Sequence, residues 1–220
     1  MKMKNVVIPF LLISSLAFAD IKVESIKKAK VGKDFTYDLT IPQFKLNGKS
    51  MTDLNNAFNN DVLTVIERTE SVGKEVNKMN PNLKAETVMN FKEYKNNFGV
   101  TSVVLSDYLY DGGAHGTTVL SSYNIDDTTG KILTFDDVFI RSAKQSFEKG
   151  ILQIIKNNNS GRYMSGIEDI DLNSAVMYFD GDYIVFKFQQ YSIAPYSSGE
   201  PAFRYKKEDV KPFIKYEFNK

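Results

Sequence analysis

The chain of 220 residues contains no cysteine, no tryptophan and a single histidine, His115. Without thiols the fold cannot be stapled by disulfides, and neither a thiol nucleophile nor a thiolate metal ligand exists. One imidazole makes a metal centre or a Ser-His-Asp triad hard to assemble. Charge of one sign is missing too: 28 Lys and Arg stand against 27 Asp and Glu. No global field therefore draws in nucleic acid or an acidic surface. Beyond the first twenty residues no stretch is apolar enough to be a transmembrane segment. Aromatic residues, mostly Phe and Tyr, make up 13% of the chain, enough to bury a substantial core.

The start of the chain speaks to compartment. Lys2 and Lys4 give a short positive region, Val6 to Phe18 is apolar apart from Pro9, Ser14 and Ser15, and Ala17-Phe18-Ala19 fits the small-x-small cleavage rule. That layout is a signal peptide over residues 1–19, with Asp20 as the new N-terminus. The apolar run is short of the roughly 20 residues a bilayer needs, and no cysteine near the cut permits lipidation there. The mature chain is expected in the periplasm or outside the cell, free of the membrane.

Residues 20–42 read as two short strands. Phe35, Tyr37, Leu39 and Ile41 alternate on one face, and Pro42 is expected to end the run. From about Ser50 the residues Met51, Leu54, Phe58, Val62, Val65, Thr69, Val72 and Val76 step by three or four, the apolar stripe of a helix. Ser50 with Asp53 offers a capping box, and Pro81 sets the latest end. Strands over 83–91, 98–110 and 117–125 follow as an antiparallel meander. Thr134-Phe-Asp-Asp137 begins a helical turn with a capping-box pattern, and Ser142 opens a second full helix whose face carries Phe147, Ile151 and Ile154. Residues 157–173 read as a loop. Asp180-Gly181 suits a type I′ hairpin turn between 175–179 and 182–188. Tyr191 to Pro201 reads as an ordered loop, 203–205 as a short strand and 207–214 as a closing helical turn. The class is α+β: antiparallel sheets, a three-stranded meander plus hairpins, packed with two main helices. The helix after Ser50 splits β-rich segments, so two intimately packed halves are expected, 20–97 and 98–220.

Two loops could carry function. Asp111-Gly-Gly-Ala-His-Gly116 lies between predicted strands, and Gly112 and Gly113 can bring backbone close to a partner. His115 there is either a general base or ligand recogniser, or a turn residue that bonds a backbone group and locks the loop. No Gly-Lys follows, so this is not a phosphate loop. In Tyr191-Ser-Ile-Ala-Pro-Tyr196, two phenols flank the Pro195 turn. They form either a rim that stacks on sugars or a partner protein, or rings packed on the sheet. The acidic clusters 126–127, 136–137 and 168–171 sit mainly where Asp is favoured structurally, and the last lacks the Gly and bidentate Glu of a calcium loop. No Gly-x-Ser-x-Gly elbow is present.

Tyr110 to Gly116, then Ser121-Ser-Tyr-Asn124, Thr129-Gly-Lys131 and Leu133-Thr-Phe-Asp-Asp-Val-Phe139, with Tyr191 to Tyr196, Gly199 and Phe203, resemble the extracellular domain shared by RsiV-type lysozyme-sensing anti-sigma factors and the non-catalytic N-terminal region of PdaC-type peptidoglycan deacetylases. Ile41-Pro-Gln-Phe44 and Asn55-Asn56 resemble its N-terminal, PdaC-like half. The resemblance covers essentially the whole mature chain. It implies two α+β halves around antiparallel sheet, the second of them RsiV-like, and a role at the cell wall. An anti-sigma factor also needs a cytoplasmic sigma-binding region and a retained membrane helix, which this chain does not show. The deacetylase needs an Asp and two His residues for its metal, and one His rules that out by ligand count. What is left is a recognition domain without cofactor or metal, contacting a lysozyme-like protein through Asp111, Gly112, Gly113, His115, Tyr191, Pro195 and Tyr196. The alternative is a peptidoglycan-binding accessory module. A third class is a hydrolase using His115 with Asp111.

Overall fold

The computed structural model describes residues 20–218; the signal peptide read over 1–19 lies outside them. Strand β1 (Ile21–Val31) pairs antiparallel with β2 (Phe35–Leu46), and the two-residue β3 (Lys49–Ser50) folds back on the end of β2. Helix α1 (Thr52–Met79) then crosses over to β4 (Ala85–Tyr94), which lies parallel to β2. The meander continues through β5 (Val100–Tyr110) and β6 (Thr117–Asp126), giving the order β1-β2-β4-β5-β6. The class is α+β as the patterning predicts, with antiparallel pairs and one parallel pair, β2–β4, whose geometry requires a crossover such as α1 supplies. The division between 97 and 98 falls between β4 and β5, which are hydrogen-bonded neighbours in this sheet.

Four local readings change. Pro42 does not end β2. The ladder to β4 stops at Leu39 and that to β3 starts at Lys45, so on that side no strand awaits the N–H that proline lacks. The Ser50–Asp53 capping box does not form. Met51 stands at the helix N-cap without a side-chain bond, because Ser50 belongs to β3 and accepts from Asn55 Nδ2 (3.1 Å). Asn55 is buried and clasps the Phe44 backbone from both sides, accepting its N–H (2.8 Å) and donating to its carbonyl (3.0 Å). The start of α1 is thereby pinned to β2. Phe58, Val62, Val65, Thr69 and Val76 face the sheet as the stripe predicts, and Gly73 lets the helix approach so closely that a Cβ would stand 2.6 Å from the Asp34 carbonyl.

The second sheet is β7 (Ala175–Asp180), β8 (Tyr183–Phe188) and β9 (Ala202–Lys206). Its β7–β8 turn is centred one residue later than expected, on Gly181-Asp182, since Asp180 pairs with Tyr183. Gly181 takes φ 58°, while Asp182 is not among the positive-φ residues; positive φ at the first central position alone is the type II′ pattern, not I′. A single turn α2 (Phe135–Val138), with its Thr134–Asp137 capping box formed, and α3 (Ala143–Lys156) cover this sheet. Ala143, Phe147, Ile151 and Ile155 form the buried stripe of α3. Ile154, expected inside, is 48% exposed, because a residue three on from Ile151 falls on the other side of the i, i+4 line. The chain closes with α4 (Lys207–Val210) and a 3₁₀ turn at Lys211–Phe213.

The sheets are joined by buried polar side chains. Ser102 Oγ on β5 donates to Asn124 Oδ1 on β6 (2.7 Å) and accepts the N–H of Phe179 (3.0 Å). Asn124 Nδ2 donates to the carbonyl of Met177 (2.8 Å). The inner edge of β7 is thus satisfied by side chains of the first sheet instead of by another strand. Beside this relay Val104 and Leu120 pack against Val176, Tyr178 and Val185.

Candidate functional site

The glycine-rich loop between β5 and β6 rests on the C-terminal end of α1. Gly112, at φ 89°, meets Val76, and a Cβ there would lie 3.2 Å from that side chain. Asp111 Oδ1 accepts the Gly113 N–H (3.3 Å) and shapes the turn. Gly116 is buried against Tyr108; an added Cβ would stand 2.4 Å from its ring and 2.6 Å from the Leu109 carbonyl. Only glycine fits there, and it sets where His115, one residue earlier, leaves the strand.

The second loop follows β8 and is fixed to the outer edge of β6 by two glutamines. Gln189 brackets Leu120, accepting its N–H (2.8 Å) and donating to its carbonyl (2.8 Å). Gln190 accepts the N–H of Thr118 (2.9 Å). Side-chain amides here take the place of a further strand on a sheet edge. Ile193 and Ala194 are buried, and the Ile193 carbonyl accepts the Met164 N–H (3.1 Å). Pro195 is half-buried and starts the 3₁₀ turn Tyr196–Ser198.

This docking carries Tyr191 to His115. Tyr191 sits at φ 63°, a left-handed conformation that costs a non-glycine residue about 1–2 kcal/mol. His115 Nδ1 bonds the Gly116 carbonyl (3.0 Å). A carbonyl only accepts, so Nδ1 carries a proton, and in the neutral imidazole Nε2 accepts from the Tyr191 phenol O–H (2.9 Å). Tyr196 stacks on the imidazole face, centroids 4.0 Å apart and planes 17° apart. Tyr191 and His115 lie side by side instead, centroids 6.0 Å apart and planes 27° apart, a nearly continuous two-ring surface. His115, Tyr191 and Tyr196 are all exposed.

The expected site residues therefore divide. His115, Tyr191 and Tyr196 come together; Gly112, Gly113 and Pro195 shape the two loops beneath them. Asp111 does not join. Its carboxylate turns to the Gly113 N–H, and both imidazole nitrogens are engaged elsewhere, so it is not the orienting partner of a His115 base. Gln189, Gln190, Tyr108 and Gly116 do the positioning; Gly116 closes the glycine-rich motif, but no motif marks the other three, since two adjacent glutamines at a strand end carry no signal until the edge they cap is known. Among the described residues no three His, Asp or Glu side chains gather to hold a metal. A groove of about 730 Å³ opens at the opposite end of α1, lined by Leu46, Met51, Leu54, Ala57 and Ile132, and none of the three rings reaches it.

Comparison with known proteins fits this geometry. Residues 29–118 match the family described as Deacetylase PdaC, and residues 132–205 match a family described as a protein of unknown function, DUF3298. The peptidoglycan-N-acetylmuramic acid deacetylase PdaC of Bacillus subtilis (strain 168) is 25% identical over 194 residues, which cover 85% of this chain and 40% of that protein. A DUF3298 family member from Bacteroides fragilis NCTC 9343 has the same fold at TM-score 0.59 and 18% identity, over 90% of this chain and 94% of its own. Another, from Pseudomonas aeruginosa PAO1, superposes at TM-score 0.51 and 17% identity with the same coverages. The first segment runs from the end of β1 through β2, α1, β4 and β5 and across the glycine-rich loop to the start of β6, and the second runs through the tyrosine loop to β9. Residues 29–118 are thus similar to the PdaC family and residues 132–205 to DUF3298, in a fold shared with DUF3298 structures.

Proposed function

We propose that the chain is an exported, non-catalytic recognition module of the cell envelope that grips a wall-active protein of the lysozyme type through His115, Tyr191 and Tyr196. One observation carries the reading. Two loops 76 residues apart are brought together so that three aromatic rings stand exposed in one cluster, Tyr196 stacked on His115 and Tyr191 hydrogen-bonded beside it, with Tyr191 held in a costly backbone conformation. Rings buried for stability would be covered; strained backbone kept at the surface points to use. The signal-peptide pattern and a relative named for acting on peptidoglycan support the compartment. The chain spans 40% of that relative, in keeping with a module that accompanies an activity without performing it. The resemblance to lysozyme-sensing domains supplies the class of partner.

Calorimetric titration with hen lysozyme tests it. A stacked ring is worth about 0.5–1.5 kcal/mol beyond its buried area, so Tyr196→Ala should weaken binding about tenfold or more while thermal unfolding stays near wild type. No heat of binding at tens of micromolar wild-type protein would sink the reading. The side-by-side Tyr191–His115 surface favours a second reading, a platform for the face of a sugar ring in peptidoglycan. Co-sedimentation with purified sacculi that survives Tyr191→Ala and Tyr196→Ala would remove its basis.

A further inference from the structure

The near-zero net charge hides a local imbalance. Residues 21–33 hold five lysines, Lys22, Lys27, Lys28, Lys30 and Lys33, against one acid, Glu24. Glu24 is already engaged by Lys22 (2.9 Å) and Lys45 (2.8 Å), and Lys30 pairs with Glu70 on α1 (3.0 Å). Among the described residues Lys27, Lys28 and Lys33 enter no ion pair. Asp38, one strand inward and opposite Ala29, forms none with them. These lysines lie on or just beyond β1, whose outer side has no neighbouring strand.

We propose that the outer edge of β1 is a docking line for a linear phosphodiester polymer. Shape separates this from a membrane surface. Lys22 to Lys30 span roughly 27 Å along one extended strand at about 3.4 Å per residue. Lys27 and Lys28 point to opposite faces of the sheet, so a flat bilayer approaching either face meets only alternate lysines. A polymer lying along the edge is within reach of both. Edge lysines also discourage strand-to-strand pairing, and a blocking role alone makes no demand for a polyanion. The proposal is independent of the aromatic site.

Titration with poly(glycerol phosphate) at varied salt distinguishes the two. Neutralising three phosphates, at a slope of about 0.7 per phosphate as for single-stranded nucleic acid, predicts roughly 20-fold weaker binding between 50 and 200 mM salt. The variant Lys27→Gln/Lys28→Gln/Lys33→Gln should lose that salt dependence and about tenfold or more in affinity. A control with equal charge change in the other half, Lys149→Gln/Lys156→Gln/Lys215→Gln, should bind within about twofold of wild type. The single variant Lys27→Glu, at an exposed position, gives the same direction should the triple variant fold poorly. Equal losses from both triple variants overturn the proposal. So does an absence of wild-type binding at low salt, or binding to phosphatidylglycerol vesicles without binding to the polymer.

Discussion

Replacing Gly116 by alanine tests whether close packing beneath the loop really sets the recognition surface. The backbone at Gly116 is not in the left-handed region. With open space around it, Gly116→Ala would stabilise the protein by about 0.4–1 kcal/mol, by restricting the unfolded chain. The structure demands the opposite sign. The new Cβ would stand 2.4 Å from two atoms of the Tyr108 ring and 2.6 Å from the Leu109 carbonyl oxygen, about 1 Å inside ordinary contact at about 3.5–4.0 Å. The ring can swing aside, but the carbonyl belongs to the β5–β6 ladder, where Leu109 faces Thr117. Overpacking of this kind costs about 1–3 kcal/mol, or roughly 2–12 °C in Tm for a domain of this size. Because the Gly116 carbonyl also receives the His115 Nδ1 proton, lysozyme affinity should fall by more than the small population of unfolded protein explains. Urea unfolding with parallel titrations reads both. A Gly116→Ala protein as stable as wild type, or more so, would refute the steric argument outright.

Ser102→Ala would orphan the Phe179 N–H and the Asn124 Oδ1 in a fully buried place. At about 1–3 kcal/mol for each buried unsatisfied group, denaturant melts should show a loss of roughly 2–6 kcal/mol. Tyr205→Phe should be neutral or stabilising by up to about 1 kcal/mol, since its hydroxyl is buried without a partner among the described residues; destabilisation beyond that in the same assay would mean an unseen partner. Burial pushes the Tyr205 phenol up to about 12, and burial with the Asp126 hydrogen bond pushes Tyr216 to about 12 as well. Burial raises Tyr178 further still. Raised folded-state values mean stability fully present below about pH 10 and lost as pH rises toward 12. Ultraviolet titration should therefore show these phenolates appearing only together with alkaline unfolding. On the acid side, burial alone would raise Asp126, but donors from Thr129, Tyr216 and Thr128 outweigh it and hold the carboxyl below its ordinary value. Its contribution is present above about pH 4 and lost as pH falls below that, so Asp126→Asn should flatten the acid limb of a pH–stability curve.

Periodicity and turn chemistry carried much of the architecture. The α1 stripe from Phe58 to Val76, the meander from 85 to 126, and the Thr134–Asp137 cap are local patterns, in which each residue's partner lies within a few positions or one strand away. Readings failed where strand pairing changed the local contest. Ser50 was drawn from capping into β3 by pairing with Lys45, and Pro42 was carried through by a gap in the neighbouring ladders. The crossover that sets β2 parallel to β4 left no mark in the strands themselves.

The sequence by itself determined composition-level limits, a lone imidazole and no thiol, and it singled out the two loops that hold His115, Tyr191 and Tyr196. That the loops form one surface was decided only by tertiary structure. Gln189 and Gln190 find their partners on the edge of β6 about seventy positions away, and side-chain hydrogen bonds of that range obey no sequence period. The bond between Tyr191 and His115 and the stacking of Tyr196 follow from that docking, because each depends on where a second chain segment stands.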